Sequence, residues 1–214
     1  GWASYRNLTS SGFSERWREY REAGYRLIDQ ESYVLDGARY YAGIWIENLE
    51  QYDWASYRNL TSSQFATYAE QFDDTHVLVD FEAYDVGGEI RYAGAWVENA
   101  GNTEWFLRRD RTDAGFSADF AAFKGVYRIH DVESYQVAGQ QRYAAIWIKN
   151  TNRRKWIENR DMDATGYRNR WFRYRDLGYR LTDFEQYETG GGMRYAGVWR
   201  QNSDRPDWAH RGAI

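Results

Sequence analysis

The residues best suited to chemistry are four carboxylate pairs separated by one residue: Asp29/Glu31, Asp80/Glu82, Asp131/Glu133 and Asp183/Glu185. Alternate residues of a strand share a face, so each pair could supply an acid and a base for glycoside hydrolysis, or ligate calcium. An active site is normally unique, however, and this pair occurs four times. Arginines recur with it. Arg6, Arg58, Arg109 and Arg160 follow an opening Trp, and Arg91, Arg142 and Arg194 precede a second Trp, with Tyr40 in the corresponding place of the first copy. Fourfold repetition of both charges predicts a structural ladder of Arg–carboxylate ion pairs. Such a ladder would depress the carboxylate pKa values and lose stability in acid.

The second candidate is aromatic. Trp45, Trp96, Trp147 and Trp199 recur at one repeat position. Exposed aromatics among carboxylates and amides suit sugars or peptides, so these four are the expected binding residues, weighed against packing between repeats. His76, His130 and His210 occupy three different repeat positions, without metal-ligand spacing. No nucleophile elbow or phosphate-binding loop is present, and Gly190-Gly191-Gly192 reads as a hairpin turn. Neither a catalytic residue, a metal nor a cofactor is expected. Asn7-Leu8-Thr9 and Asn59-Leu60-Thr61 fit a glycosylation sequon, although each Thr is better read as a helix cap.

Composition bounds the function further. A net charge of −4 gives no basic balance for nucleic acid. No apolar run reaches the ~18–20 residues of a membrane span. The chain has no cysteine, which removes disulfides and Cys-based metal sites. Aromatic residues make up 19%, and so many in a hydrophilic chain suggest half-buried sheet surfaces.

These residues are positioned by a repeat. Trp2, Trp54, Trp105, Trp156 and Trp208 open successive units of 51 or 52 residues. The units run 2–53, 54–104, 105–155 and 156–207, and 208–214 begins a fifth. Within a unit, an opening strand puts Trp and Arg on one side. Thr9, Thr61, Thr112 or Asp163 then caps a helix whose inner stripe is Phe13/Trp17/Tyr20, Phe65/Ala69/Phe72, Phe116/Phe120/Phe123 or Tyr167/Trp171/Tyr174. Gly24, Gly125 and Gly178 stand where a helix exit wants positive φ. The Asp-x-Glu run follows as a strand with Tyr25, Leu27, Asp29, Glu31 and Tyr33 on one face. A Gly turn leads to a third strand of the form Arg-Tyr-Ala-Gly-x-Trp, a hairpin signature. The helix is expected over the Ala93/Ala95/Val97 face, where small residues permit close approach. The short link from third strand to next opening Trp predicts that Trp54–Arg58 completes the first copy's sheet, Trp156–Arg160 the third's and residues 208–214 the fourth's.

Residues 24–48 (GYRLIDQESY…RYYAGIWIEN) and 178–202 (GYRLTDFEQY…RYAGVWRQN) resemble the tandem structural repeats found beside the serine-hydrolase domain of polyglycine hydrolases, and related bacterial repeats. The likeness spans essentially the whole chain. The resemblance implies a repeat module with an attached or partner function elsewhere, and is consistent with a secreted setting. The catalytic part of that family needs Ser-x-x-Lys. Here Lys124, Lys149 and Lys155 are preceded at −3 by Ala121, Ile146 and Asn152, so its activity does not carry over. Residues 2–11 recur identically at 54–63, the mark of a recent duplication or an engineered array. The expected fold is α+β, a single repeat domain of four strand–helix–strand–strand units in a propeller-like ring or arc, with an open solenoid as the alternative. The expected function is a non-catalytic scaffold or recognition module for a protein, peptide or glycan, acting as a monomer or as an oligomer through edge strands. The alternative is a hydrolase using one Asp-x-Glu pair.

Overall fold

The computed structural model describes residues 1–204 and Trp208. Its contacts divide the chain into two compact units, Gly1–Thr103 and Glu104–Ile214, each holding two repeat copies. The first unit contains β1 (Trp2–Leu8), α1 (Ser10–Glu22), β2 (Tyr25–Leu35) and β3 (Ala38–Glu47), then β4 (Trp54–Leu60), α2 (Ser62–Phe72), β5 (His76–Val86) and β6 (Glu89–Glu98). The second contains β7 (Trp105–Arg111), α3 (Asp113–Phe123), β8 (Tyr127–Val137) and β9 (Gln140–Lys149), then β10 (Trp156–Met162), α4 (Ala164–Asp176), β11 (Tyr179–Thr189) and β12 (Gly192–Gln201). Each copy is thus one helix on a three-stranded antiparallel sheet, an α+β unit in the expected element order.

The sheet order is β1-β3-β2, and likewise in the other copies, so the third strand is central. This corrects the expected handover of opening strands. Trp54 pairs with Val97 and Trp156 with Arg200, each inside its own copy. The fourth sheet is therefore complete without residues 208–214, of which only Trp208 is described. The link between copies does not lay the chain alongside the sheet just finished. It turns sharply, with Gln51, Asn102 and Arg153 at positive φ and Asn48 Nδ2 donating to the Tyr52 carbonyl at 2.8 Å.

The helices start where the capping residues predict. Thr9, Thr61, Thr112 and Asp163 each accept a first-turn backbone N–H. Gly24 and Gly178 end the two 13-residue helices at positive φ. The 11-residue α3 ends without it, so Gly125 does not play the expected role.

The helix covers the opposite sheet face from the one expected. Phe13 and Tyr20 pack on Trp45 at 5.6 and 5.5 Å between ring centroids, and Phe65 and Phe72 on Trp96 at 5.6 and 5.5 Å. Glycine makes room on that face: a Cβ at Gly94 would stand 2.7 Å from the Trp96 ring. Copy three has Ala145 in this place, and its Trp147 stacks on Phe106 at 6.3 Å and 14°. The alanine face instead adjoins the neighbouring copy. Ala93 and Val97 share a buried cluster with Phe13 and Leu27 of the copy before, and Ala196 and Val198 do so with Phe116 and Val132.

Two bulges decide which residues face where. In β2 the register jumps between Leu27, opposite Trp45, and Asp29, opposite Ile44. Ile28 is the extra residue, and Val79, His130 and Thr182 are its counterparts. An inserted residue flips the strand. Leu27 stays on the helix face while Asp29, Glu31 and Tyr33 turn to the other, the face by which Asp80 and Glu82 meet the preceding copy. The five-residue face read from sequence is therefore split. The second bulge lies in the opening strands. Asn7, Asn59, Asp110 and Asp161 sit there at positive φ, which Asn and Asp tolerate best among non-glycine residues. Their N–H groups donate to Tyr33, Tyr84, Tyr135 and Tyr187, at 2.8–2.9 Å. The last Tyr of each Asp-x-Glu-x-Tyr run therefore locks the bulge of its own opening strand.

Candidate functional site

The chemistry-bearing residues meet where one copy packs on the next. In the first unit, the N–H of Gln30 on β2 donates to Asp80 Oδ1 at 3.1 Å, and that of Ser32 donates to Glu82 Oε2 at 3.3 Å. In the second unit Val132, whose N–H stands in the matching place, donates to Asp183 Oδ2 at 2.7 Å. The Asp-x-Glu pair of the following copy thus caps the backbone of the preceding copy's Asp-x-Glu strand. The carboxylates satisfy N–H groups that would otherwise be buried unpaired beside a packed sheet.

The opening strand makes the other half of the junction. Trp54 packs on Trp17 of α1 at 5.4 Å, and Trp17 Nε1 donates to Ser56 Oγ at 2.7 Å. Arg58 donates to the Ser10 carbonyl at 2.7 Å and to Ser14 Oγ at 2.7 Å, and its guanidinium lies over Phe13 and Tyr41. The second unit repeats this clasp. Trp156 meets Phe120 of α3 at 5.4 Å, and Arg160 bonds Asp113 Oδ1 at 2.7 Å and Ser117 Oγ at 2.8 Å over Phe116 and Tyr143. Trp208 repeats its first contact, on Trp171 of α4 at 5.6 Å. The one-sided Trp and Arg read from sequence are correct, and their joint target is the preceding helix.

At Asp29 and Asp80 this geometry corrects the expected Arg–carboxylate ladder. Among the described residues, Asp29 and Asp80 have no arginine within ion-pair distance. Arg58 and Arg160 clasp helices, Arg91 pairs with Glu89 at 2.6 Å, Arg142 bonds Gln140 at 2.6 Å and Arg194 reaches Asp161 at 3.3 Å. Arg109 stands 4.0 Å from Asp110, and Arg6 lines a cleft with Asp29 and Glu31. Glu133 and Glu185 are both buried, and the residue opposite each on the central strand is an alanine, Ala144 for Glu133 and Ala196 for Glu185. The third-strand arginines expected beside them, Arg142 and Arg194, lie two residues away, opposite Tyr135 and Tyr187. Glu82 occupies the same position in the second copy, opposite Ala93, and there serves the Ser32 N–H. Asp131, half-buried, faces Ile146 across the sheet.

The physical reason is the strand bulge, which turns the carboxylates to the inter-copy face, while Arg58 lies in the opening-strand bulge and points to the helix. At Asp29 and Asp80 the expected depression of pKa is reversed. Burial pushes the Asp29 carboxyl up to about 6. Asp80 is raised well above the ordinary range by burial first and by the nearby Asp29 charge second, against the lowering effect of its Gln30 bonds. Glu158 is pushed up to about 7 by burial, although Arg160 lies 3.4 Å away.

The four expected binding tryptophans are likewise corrected. Trp45, Trp96, Trp147 and Trp199 are each 0% exposed. They form the centre of each copy's core and touch no surface. Two clefts open in the first unit. One, of about 450 Å³, opens at the junction between Phe13, Ser14, Trp17 and Arg18 of α1, Gln30 of β2, and Ser56, Tyr57 and Arg58 of β4. The other, of about 370 Å³, lies on the first copy between Ser4, Tyr5 and Arg6 and the pair Asp29/Glu31, over Ala42–Ile44. Among the described residues, no group of three or more His, Asp or Glu side chains could hold a metal ion. No described helix is long and apolar enough to cross a membrane.

A tandem array of α+β units joined by repeated strand and helix contacts defines a repeat protein. The chain belongs to the polyglycine hydrolase-like structural repeat family, which matches it four times, at residues 1–48, 52–99, 102–150 and 153–202. No curated protein matches the chain.

Proposed function

We propose that this chain is a non-catalytic repeat scaffold with a recognition surface at the junctions between copies. The observation that carries this reading is the use of the repeated polar residues. Asp80, Glu82 and Asp183 hold the preceding strand, and Arg58 and Arg160 hold the preceding helix. A set spent on joining copies is expected to recur from copy to copy, as these residue types do in the sequence. The expected ligand is a protein segment, peptide or glycan. The aromatic walls Phe13, Trp17 and Tyr57 of the junction cleft, with the Arg18 and Arg58 donors, suit a peptide or sugar edge. Peptide and glycan arrays probed with the purified chain test it. Binding that Arg18→Glu weakens supports the cleft, and array signals indifferent to it move the site elsewhere. A propeller-like ring or arc of four copies belongs to the same proposal, and small-angle scattering tests it against an open solenoid.

The alternative is a hydrolase using one Asp-x-Glu pair, and the first copy offers a candidate. In the first copy a cleft brings an Asp-x-Glu pair together with an arginine, and there Asp29 carries a raised pKa. Hydrolysis of glycine-rich peptides or β-glycans that disappears with Asp29→Asn, in protein of unchanged melting temperature, would establish an enzyme and displace the scaffold reading.

A further inference from the structure

The links that join one copy to the next have equal length and opposite charge. Residues 48–53 read NLEQYD and residues 99–104 read NAGNTE, whereas residues 150–155 read NTNRRK. A second change accompanies this one. Copy four has Arg200 on its central strand, where Ile46, Val97 and Ile148 stand in the other copies. Neither change belongs to the repeated set that joins copies, and both fall on the junction between the third and fourth copies.

The fold brings these arginines together. In the first copy Arg26 Nη1 donates to Asn48 Oδ1 at 2.8 Å and to Glu50 Oε2 at 2.9 Å. In the fourth, Arg180 Nη1 donates likewise to Asn202 Oδ1 at 3.0 Å and Asp204 Oδ1 at 3.1 Å. Arg128 holds this position in the third copy, but Asn152 stands in place of the carboxylate. Arg128 donates instead to the Ile129 carbonyl at 3.3 Å, and the buried Asn150 Oδ1 has no donor among the described residues. Asn152 Oδ1 accepts from Arg200 Nη2 at 3.0 Å, and the buried Arg200 Nε has no acceptor among the described residues. Arg200 lies directly opposite Arg180 across the sheet. Arg154 and Arg180 share one oxygen of Asp204, at 3.0 and 3.1 Å.

Like charges opposed across a sheet cost stability, and these four half-buried guanidiniums are screened less than exposed ones. Burial, then Arg200 and Arg180, lower the Arg128 pKa to about 10. Arg200 is lowered by burial first and then by Arg154 and Arg180. An aliphatic side chain at position 200 would pack instead, as Val97 does in the first unit. The arrangement is therefore repulsive by itself and relieved by an added anion. Asp204 shows which anion fits, a carboxylate oxygen held between two planar guanidiniums. The exposed Arg153 and Lys155 extend the positive patch, while the chain's net charge of −4 repels a long polyanion beyond it. We infer that Arg128, Arg154, Arg180 and Arg200 bind an acidic peptide segment of a partner protein, whose carboxylates pair with Arg128 and Arg200. The site shares no residue with the cleft of the first unit, so either can fail alone.

Fluorescence anisotropy of a labelled hexaglutamate peptide, titrated with the whole chain at about 20 mM salt, tests the inference. Arg200→Ile and Arg128→Val install residues that other copies carry at these positions. Each should weaken binding by roughly tenfold or more, the usual weight of one central contact. Their melting temperatures should be unchanged or higher, because repulsion is removed, whereas loss of a purely structural arginine would lower them. Asp204→Asn should strengthen binding, since the resident carboxylate no longer competes. Arg18→Glu, in the first unit, should leave it unchanged. Hexaglutamate that does not bind, or that binds both arginine variants as well as the unaltered chain, overturns the inference. So does tighter binding of an oligothymidylate, which would assign the arginines to a nucleic acid.

Discussion

The junctions of the two units share a skeleton and differ in what fills it. In both, an opening Trp meets an aromatic of the preceding helix, an Arg lies over two aromatic rings, and an Asp caps a strand N–H. Around that skeleton the first unit has Gln30, Arg18, Ser56 and Tyr57, where the second has Val132, Ala121, Glu158 and Asn159. The first arrangement leaves a cleft of about 450 Å³. In the second, a buried Glu158 carboxylate stands in the place of Ser56, with its pKa pushed up to about 7. Positions that hold copies together tolerate little change, because each makes several directional contacts. Positions that only line the space between them are free to differ, and recognition is expected where they leave room.

That comparison can be broken most severely through the cores. Trp96→Ala and Trp147→Ala should each cost about 3–5 kcal/mol, the loss of a fully buried indole, and should do so equally if the copies are equivalent cores. Chemical denaturation of the two variants measures it. Next in size, Gly94→Ala should cost about 1–3 kcal/mol by forcing a methyl against Trp96. The same methyl is accommodated in copy three at Ala145, so Ala145→Gly should change stability far less.

Acid titration sharpens the difference between fillers. Asp29, Asp80 and Glu158 all have folded pKa values above those of an unfolded chain. Each binds its proton more tightly when folded, so stability rises as pH falls from about 8 through 7 and 6 towards 5. The lowered carboxyls of Glu50, Glu104 and Asp204 act in the opposite direction only at lower pH. Melting temperature should therefore increase by a few degrees between about pH 8 and pH 5. Glu158→Gln should raise the melting temperature at the alkaline end and flatten part of the slope. Ser56→Ala, at the same place in the first unit, should leave the slope unchanged. The smallest effect is expected from Trp17→Phe, which imitates Phe120. It should cost about 1 kcal/mol through the lost indole bond to Ser56 and nothing further in the presence of Ser56→Ala, as a double-mutant cycle will show.

Much of each copy was legible in the sequence because local chemistry wrote it there. Capping residues, the helical aromatic stripe and the Gly turns marked element order and boundaries. Faces were misread because both bulges are invisible to a strict period of two. Ile28, Val79, His130 and Thr182 differ from copy to copy, and that variability reflects their status as inserted residues. The recurring Asn or Asp five residues after each opening Trp was the available signal for the second bulge, and with it for the tyrosine lock. At Asp29 and Asp80 the ion-pair ladder failed for a related reason. Charge repetition identifies residues that act in every copy, but backbone N–H donors are silent in a sequence, and these proved to be partners of Asp80, Glu82 and Asp183.

The central claim is that the Asp-x-Glu pairs join copies by capping backbone N–H groups. Amide hydrogen exchange at Gln30 and Val132 tests it most directly, with Asp80→Ala and Asp183→Ala compared with the unaltered chain. Loss of protection by more than about tenfold at Gln30 in the first variant and at Val132 in the second, each leaving the other amide protected, is the predicted result. Unchanged exchange at both amides would contradict the account.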